Sequence, residues 1–141
     1  MSQQKISSPL KLSILVCVRN KGTNIKIMLK IIHAMIEVPH EILFVHDNPD
    51  IHFTELVNSL KSRDPNTRLI RNHLGSGVVN ALKSGVDASQ GEYILIFAGD
   101  EVGPVLAIDD MLALMDQGCD LVSCTRYAHG GRRLGGSRIG H

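Results

Sequence analysis

The chain has 141 residues, of which 43% are hydrophobic and 21% are charged, as is typical of one globular domain with a sizeable core. A formal net charge of +1 argues against a nucleic-acid-binding surface and against a polybasic membrane patch. The absence of tryptophan and the low content of tyrosine and phenylalanine also argue against stacking on single-stranded bases. We therefore expect no nucleic acid among its partners.

The cysteines, Cys17, Cys119 and Cys124, form no CxxC pair. Neither a zinc site nor a disulfide framework is indicated, and this usage favours the cytoplasm. The apolar stretch 10–18 is interrupted by Lys11 and is too short to span a bilayer. We expect membrane association, at the inner face of a membrane, only through further regions of a longer protein.

Along the chain, short β-rich apolar runs alternate with longer stretches of helical periodicity. The runs predict strands at 12–18, 41–45, 68–70, 93–97 and 121–124. The residues expected on the inner faces of the helices are Ile25, Met28, Leu29, Ile32, Met35 and Ile36; Phe53, Leu56, Val57 and Leu60; Val78, Leu82 and Val86; and Val105, Ile108, Leu112 and Met115. This alternation predicts an α/β fold with a doubly wound, mostly parallel sheet and helices on both faces.

No linker or internal repeat divides the sequence, so we expect a single domain over residues 1–141. Its ordered core is expected at about 10–127. The segment 128–141 is rich in glycine and arginine and is expected to be a flexible basic loop. The chain is expected to be part of a longer protein.

Polar residues follow the first four predicted strands, in the segments 19–23, 46–50, 71–77 and 98–101. Ligands of open α/β sheets bind beyond the carboxyl ends of the strands, so these segments are the first candidates for a binding site. The alternative is that Asp, Asn and Gly occur there only because they form turns.

The sequence lacks the GxxxxGK[ST] pattern of a P-loop. Gly75 and Gly77 lack the third glycine of a dinucleotide fingerprint, where Asn80 stands instead, so they are better explained as a helix start able to meet a phosphate. Asp100 and Glu101 offer oxygen ligands for a hard cation, or simply form a solvated turn. Arg126 either clamps phosphate oxygens or lies at the surface. His46 is expected to be a loop residue.

Taken together, the segments resemble family 2 glycosyltransferases, especially the dolichyl- and polyprenyl-phosphate-mannosyltransferase-like branch. Residues 13–21 (SILVCVRNK) are similar to the opening strand and its Pro-x-(Tyr/Phe)-Asn-Glu loop, and 41–48 (EILFVHDN) to the second strand and its Asp-Asp turn. Residues 72–85 look like the Gly-x-x-x-Ala-x-x-x-Gly helix, 88–95 (ASQGEYIL) like the approach to the fourth strand, and 120–131 like the Asp-x-Val-x-Gly-Ser-Arg-Tyr segment.

The chain also departs from this pattern. Lys21 stands in place of the acid of the first loop, and His46 in place of the first aspartate of the second. The Asp-x-Asp metal motif is not intact. Asp100 is the best candidate for its surviving acid, with Glu101 as a substitute, whereas a register fixed on Pro104 puts the two positions at Phe97 and Gly99.

The resemblance implies a GT-A fold and a donor-binding domain that transfers a sugar from a nucleoside-diphosphate sugar to a lipid-phosphate or saccharide acceptor in cell envelope or polysaccharide biosynthesis. It implies Mg²⁺ or Mn²⁺ as cofactor, held by Asp100 and Glu101. The nucleotide-sugar-binding residues implied are Val18, Arg19, Asn20, Asp47, Gly75, Asn80 and Arg126. Because the acidic motif is altered, the alternative is a non-catalytic nucleotide-sugar-binding module that has lost its metal site. A dinucleotide oxidoreductase and a nucleotidyltransferase are further alternatives.

Overall fold

A computed structural model describes residues 9–18, 25–97 and 103–125. The strands are β1 (Leu12–Cys17), β2 (His40–His46), β3 (Thr67–Arg71) and β4 (Tyr93–Phe97). The helices are α1 (Ile25–Met35), α2 (Ile51–Lys61), α3 (Val78–Ala88), α4 (Gly103–Leu106) and α5 (Ile108–Asp116).

The described strands form one parallel sheet in the order β3-β2-β1-β4. Leu15 of β1 stands opposite Leu43 of β2 and Ile96 of β4 in the register. Both central strands are nearly all buried, as expected for strands covered on both faces. The predicted doubly wound α/β class is confirmed, and the first four predicted strands are present with ends shifted by at most one residue.

Helices α1, α2, α4 and α5 pack on one face of the sheet. Their apolar residues join a core with the alternate strand residues that point to that side, among them Ile14, Phe44 and Phe97. The predicted inner face of α1 is confirmed except at Met35, which is exposed. Asp50 is the N-cap residue of helix α2, and its carboxylate accepts a hydrogen bond of 2.8 Å from the Phe53 backbone N–H.

Helix α3 alone among the described helices lies on the opposite face, and its predicted inner side is wrong. Val78 and Val86 are exposed, and the buried residues are Ala81, Ser84 and Gly85. The reason is close packing, because a methyl group on Gly85 would stand 3.0 Å from side-chain carbons of both Leu15 and Val45. Only small residues fit between this helix and the sheet.

The predicted fifth strand, 121–124, is also wrong, because residues 121–125 are described and belong to neither strand nor helix. Leu121 is 84% exposed and makes no strand pairing. An apolar, β-prone run needs a partner and a face to pack against before it forms a strand. The predicted helical stretch before it consists of two helices, separated at Ala107.

Candidate functional site

The order of the strands defines where a ligand would bind. The chain moves outward from β1 to β2 and β3, and then returns to the other side of β1 with β4, so the strand order reverses between β1 and β4. In open α/β sheets the crevice beyond the carboxyl ends at this reversal is the usual ligand site. The described residues at this edge are Val18 after β1, the turn after β2 and the segment 72–77 after β3.

Asp47 joins two of these segments. Its Oδ1 accepts a hydrogen bond of 2.6 Å from the Asn72 side-chain amide, and its Oδ2 accepts one of 3.2 Å from the Gly77 backbone N–H. Gly77 is the N-cap residue of α3, so the carboxylate also meets the positive end of that helix. Asp47 is itself exposed.

Asn72 organises the segment that follows β3. Its amide N–H₂ group donates to Asp47 and, over 2.6 Å, to the Gly75 carbonyl, while its oxygen accepts from the Leu74 N–H at 3.1 Å and from the Ser84 hydroxyl at 3.0 Å. The residue is only 7% exposed. Buried hydrogen bonds of this kind hold the loop in one conformation.

Gly75 and Gly77 shape the same loop through their backbone angles. Their φ values are +96° and +124°, which are backbone conformations that residues other than glycine rarely adopt. A Cβ atom on Gly75 would stand 3.5 Å from the Asn80 side-chain amide, so these two predicted residues lie side by side. The loop thus presents backbone groups and one amide side chain at the start of α3.

A small recess lies beside Asp47. Its lining includes Cys17, Val18, Asp47 and Gly77, and its volume is about 10 Å³. A space of this size holds about one water molecule, so a larger ligand would lie across the edge rather than enter the recess. Burial, and secondarily the charge of Asp47, raises the pKa of the Cys17 thiol.

The structure therefore brings together four of the residues predicted from the sequence: Val18, Asp47, Gly75 and Asn80. The others, Arg19, Asn20, Asp100, Glu101 and Arg126, lie outside the described residues. Within the described ranges, no group of three or more His, Cys, Asp or Glu side chains could hold a metal ion. The predicted Mg²⁺ or Mn²⁺ site thus falls on acids whose placement is not described.

His46 ends β2, and its Nδ1 accepts a hydrogen bond of 2.8 Å from the Asn48 backbone N–H. Its ring packs at a tilt against Phe53, with the ring centroids 5.4 Å apart. This is the turn-stabilising behaviour of a strand-end residue. Among the described contacts the imidazole faces no other ionisable group.

A second polar cluster lies at the amino-terminal ends of the strands. Glu41 is 2% exposed, and its carboxylate accepts hydrogen bonds from the Ser13 hydroxyl (2.6 Å), the Gln90 N–H (2.7 Å) and the Arg68 guanidinium (2.7 and 3.2 Å). Arg68 also donates to the Ala88 carbonyl. The buried polar atoms of this cluster all have hydrogen-bond partners. The cluster therefore holds together β1, β2, β3 and the segment after α3.

Sequence reasoning did not select Asn72 or Ser84 as site residues. A signal for Asn72 was present, because a polar residue directly follows the third strand at the ligand edge. Ser84 stands three residues after Ala81, on the face of α3 that turned out to be buried. Its hydroxyl is placed to reach Asn72 only because the helix packs so closely.

The fold just described is a doubly wound α/β domain with a candidate ligand-binding site at the carboxyl ends of its strands. The sequence model of glycosyl transferase family 2 matches residues 13–139, and the chain belongs to this family. The match supports glycosyltransferase activity in general, with a nucleotide-sugar donor and an acceptor, in a family that commonly uses divalent metals. A comparison with curated proteins found no match. No helix among the described residues is both long and apolar enough to cross a membrane.

Proposed function

We propose that this chain is the donor-binding domain of a glycosyltransferase that moves a sugar from a nucleoside diphosphate to a lipid phosphate or a saccharide. The observation that carries the proposal is the Asp47–Asn72–Gly77 clamp at the ligand edge of the sheet. It holds an exposed carboxylate beside the backbone groups that begin α3. A carboxylate accepts hydrogen bonds from ribose or base, and a helix start favours phosphate oxygens.

The reaction is a displacement at the anomeric carbon. An acceptor oxygen forms the new bond to that carbon as the bond to the diphosphate oxygen breaks, and the nucleoside diphosphate leaves with the electron pair. If the acceptor is a hydroxyl, its proton passes to a base or to water. The described residues contribute binding and orientation of the donor, which lowers the entropic cost of this step.

We further propose an acceptor, metal ligands and a location. The likeness of segment 120–131 to the mannosyltransferase-like branch favours a polyprenyl- or dolichyl-phosphate acceptor. Asp100 and Glu101 are the proposed ligands of Mg²⁺ or Mn²⁺, which would neutralise the departing diphosphate. The proposed location is the cytoplasm, at the inner face of a membrane, with a role in cell envelope or polysaccharide synthesis.

Calorimetric titration with UDP-sugars and GDP-sugars, with and without Mn²⁺, tests the proposal. We expect binding that Mn²⁺ strengthens and that Asp100→Ala weakens. Asp87→Ala is the matched control, because it removes an exposed acid from the far end of α3. The titrations use the chain of residues 1–141.

The outcomes separate the interpretations. Binding that is the same with and without Mn²⁺ in wild type and in Asp100→Ala would favour a binding module without a metal site. Failure of the chain to bind any nucleotide sugar would overturn the proposal. Release of sugar to a polyprenyl phosphate but not to a saccharide would select the first class of acceptor.

A further inference from the structure

We propose that Asn72 is a positioning residue for the nucleotide site: its side-chain amide fixes the direction of the Asp47 carboxylate. The inference rests on the proposed function, because it concerns the carboxylate that would meet the donor. Asn72 itself is buried and is not expected to touch the ligand. It acts through the hydrogen bond to Asp47 Oδ1.

The hydrogen-bonding capacity of the Asn72 side-chain amide is fully used. An asparagine amide has two N–H donors and two acceptor positions on its oxygen. The donors meet Asp47 and the Gly75 carbonyl, and the acceptor positions meet the Leu74 N–H and the Ser84 hydroxyl. The side chain has no alternative arrangement that keeps all four bonds.

The partners also fix which end of the amide faces Asp47. Asp47 Oδ1 and the Gly75 carbonyl are both acceptors, so only the N–H₂ group can lie between them, and the Leu74 N–H, a donor, requires the oxygen on the other side. Turning the amide over would place oxygen against oxygen at 2.6 Å. The direction of the bond to Asp47 is therefore set from inside the fold.

Asp47 is held through both of its carboxylate oxygens, because Oδ1 accepts from Asn72 and Oδ2 accepts from Gly77. Its side chain is nevertheless exposed, so a ligand can approach it. An unclamped aspartate at an exposed turn would sample several rotamers and lose side-chain entropy on binding. Clamped on both oxygens, it is oriented before the ligand arrives.

Asn72→Asp is the sharpest test, because it keeps the shape and replaces the donating N–H₂ group by an acceptor. At neutral pH the introduced carboxylate would face Asp47 and the Gly75 carbonyl, and two carboxylates in contact cannot both stay ionised at low cost. At lower pH the pair takes up a proton, and one O–H can again donate between them. The clamp should fail at high pH and partly return at low pH.

The affinity for UDP and for GDP is measured by calorimetry in Mg²⁺ buffers. At about pH 8 we expect Asn72→Asp to bind at least about tenfold more weakly than wild type, and at about pH 5 the ratio should fall to about threefold. Asn72→Ala, which removes the donor without adding charge, should lose about fivefold at both values. Asn58→Asp adds the same charge at an exposed position of α2, away from the ligand edge, and should show neither effect.

Other titratable or charged groups nearby are Cys17 beside Asp47, His46 before it, and Arg71 and His73 on either side of Asn72; Lys83, the first charged residue of α3, is exposed. All are present in wild type, so the ratio of variant to wild type at each pH removes their contribution. Circular dichroism and thermal melting establish that each variant is folded at both pH values. Should Asn72→Asp not fold, Asn72→Ala carries the test alone.

The two proposals fail differently. If wild type binds neither nucleotide, the proposed function is lost and the role of Asn72 with it. If wild type binds and Asn72→Ala binds equally well, Asn72 does not position Asp47 and the proposed function stands. A folded Asn72→Asp protein that is equally weak at both pH values also overturns the positioning role, because a purely structural defect would not depend on protonation of this pair.

Discussion

Gly91→Ala tests how tightly the segment after α3 is held against β1. The added methyl carbon would stand 2.5 Å from the Ser13 backbone nitrogen and 2.6 Å from the Leu12 carbonyl carbon. Both atoms belong to a central strand and cannot move aside as the tip of a side chain can. The segment 90–91 must shift instead, which strains the bonds from Gly91 N–H to the Ser13 hydroxyl (2.8 Å) and from Gln90 N–H to Glu41 (2.7 Å).

The expected loss in the free energy of unfolding combines three terms. Overpacking against backbone costs about 3 kcal/mol, at the upper end of the usual range. Weakening the two hydrogen bonds, one of them to a carboxylate, costs about 1–2 kcal/mol. Replacing glycine by alanine restricts the unfolded chain and returns about 0.5–1 kcal/mol. The sum is a loss of about 3–4.5 kcal/mol, a large part of the stability of a small domain.

Urea unfolding followed by circular dichroism measures this loss, and Gly85→Ala is the matched control. Its methyl group would meet only side-chain carbons of Leu15 and Val45, at 3.0 Å. The gain in helix propensity, about 1 kcal/mol, offsets that crowding, so we expect a change within about 1 kcal/mol of zero. A loss below about 1 kcal/mol for Gly91→Ala, or an equal loss for both variants, would refute the reasoning from backbone contact.

Three further predictions concern charged and titratable groups. Glu41→Gln replaces a carboxylate that accepts four hydrogen bonds by an amide whose N–H₂ group must face hydrogen-bond donors, so urea unfolding should show a loss of about 2–4 kcal/mol in the free energy of unfolding. Glu55→Gln, at an exposed position, should show almost no loss. Similar losses in the two variants would contradict the role of Glu41 as a buried hydrogen-bond acceptor. The hydrogen bond to Asp116 raises the pKa of Tyr93 to about 12, so its stabilisation is present below about pH 10 and is lost as the pH rises towards 12. Absorbance titration should show a lower phenol pKa in Asp116→Asn, and an unchanged value would count against this bond. Partial burial raises the pKa of Cys17, so mass spectrometry should show slower alkylation at Cys17 than at the two exposed cysteines. Equal rates would be inconsistent with a half-buried thiol of raised pKa.

The central strands were predictable because they are continuously apolar, and β1 and β2 lie where the runs 12–18 and 41–45 predicted them. The inner face of α3 was not predictable from hydrophobicity. Its contact with the sheet is made by Ala81, Ser84 and Gly85, which a search for large apolar residues passes over. The close approach of the helix to the sheet selects small residues for the buried face. That distance is set only when the fold has assembled, so the sequence pattern does not reveal it.

The position of the candidate site could be predicted from the sequence, but the hydrogen bonds within it could not. Asp47 and Gly75 follow strands at the ligand edge, and the rule for open α/β sheets is sufficient to select them. That Asp47 is held by Asn72 and Gly77 depends on a contact between residues 25 and 30 positions apart. No local pattern encodes such a pairing. The prediction of a strand at 121–124 was wrong for the same reason, because a strand there would need a neighbouring strand that is distant in sequence.

The buried Glu41 has a consequence for how the chain is made. Its carboxylate leaves the ribosome 49 residues before Gln90, whose backbone N–H it will bind, and 27 residues before Arg68. Until Gln90 emerges, burying the carboxylate would leave part of its hydration unreplaced, which disfavours closure of the early strands. We therefore expect the domain to close late in its synthesis, and a nascent chain that stops short of Gln90 should remain sensitive to protease.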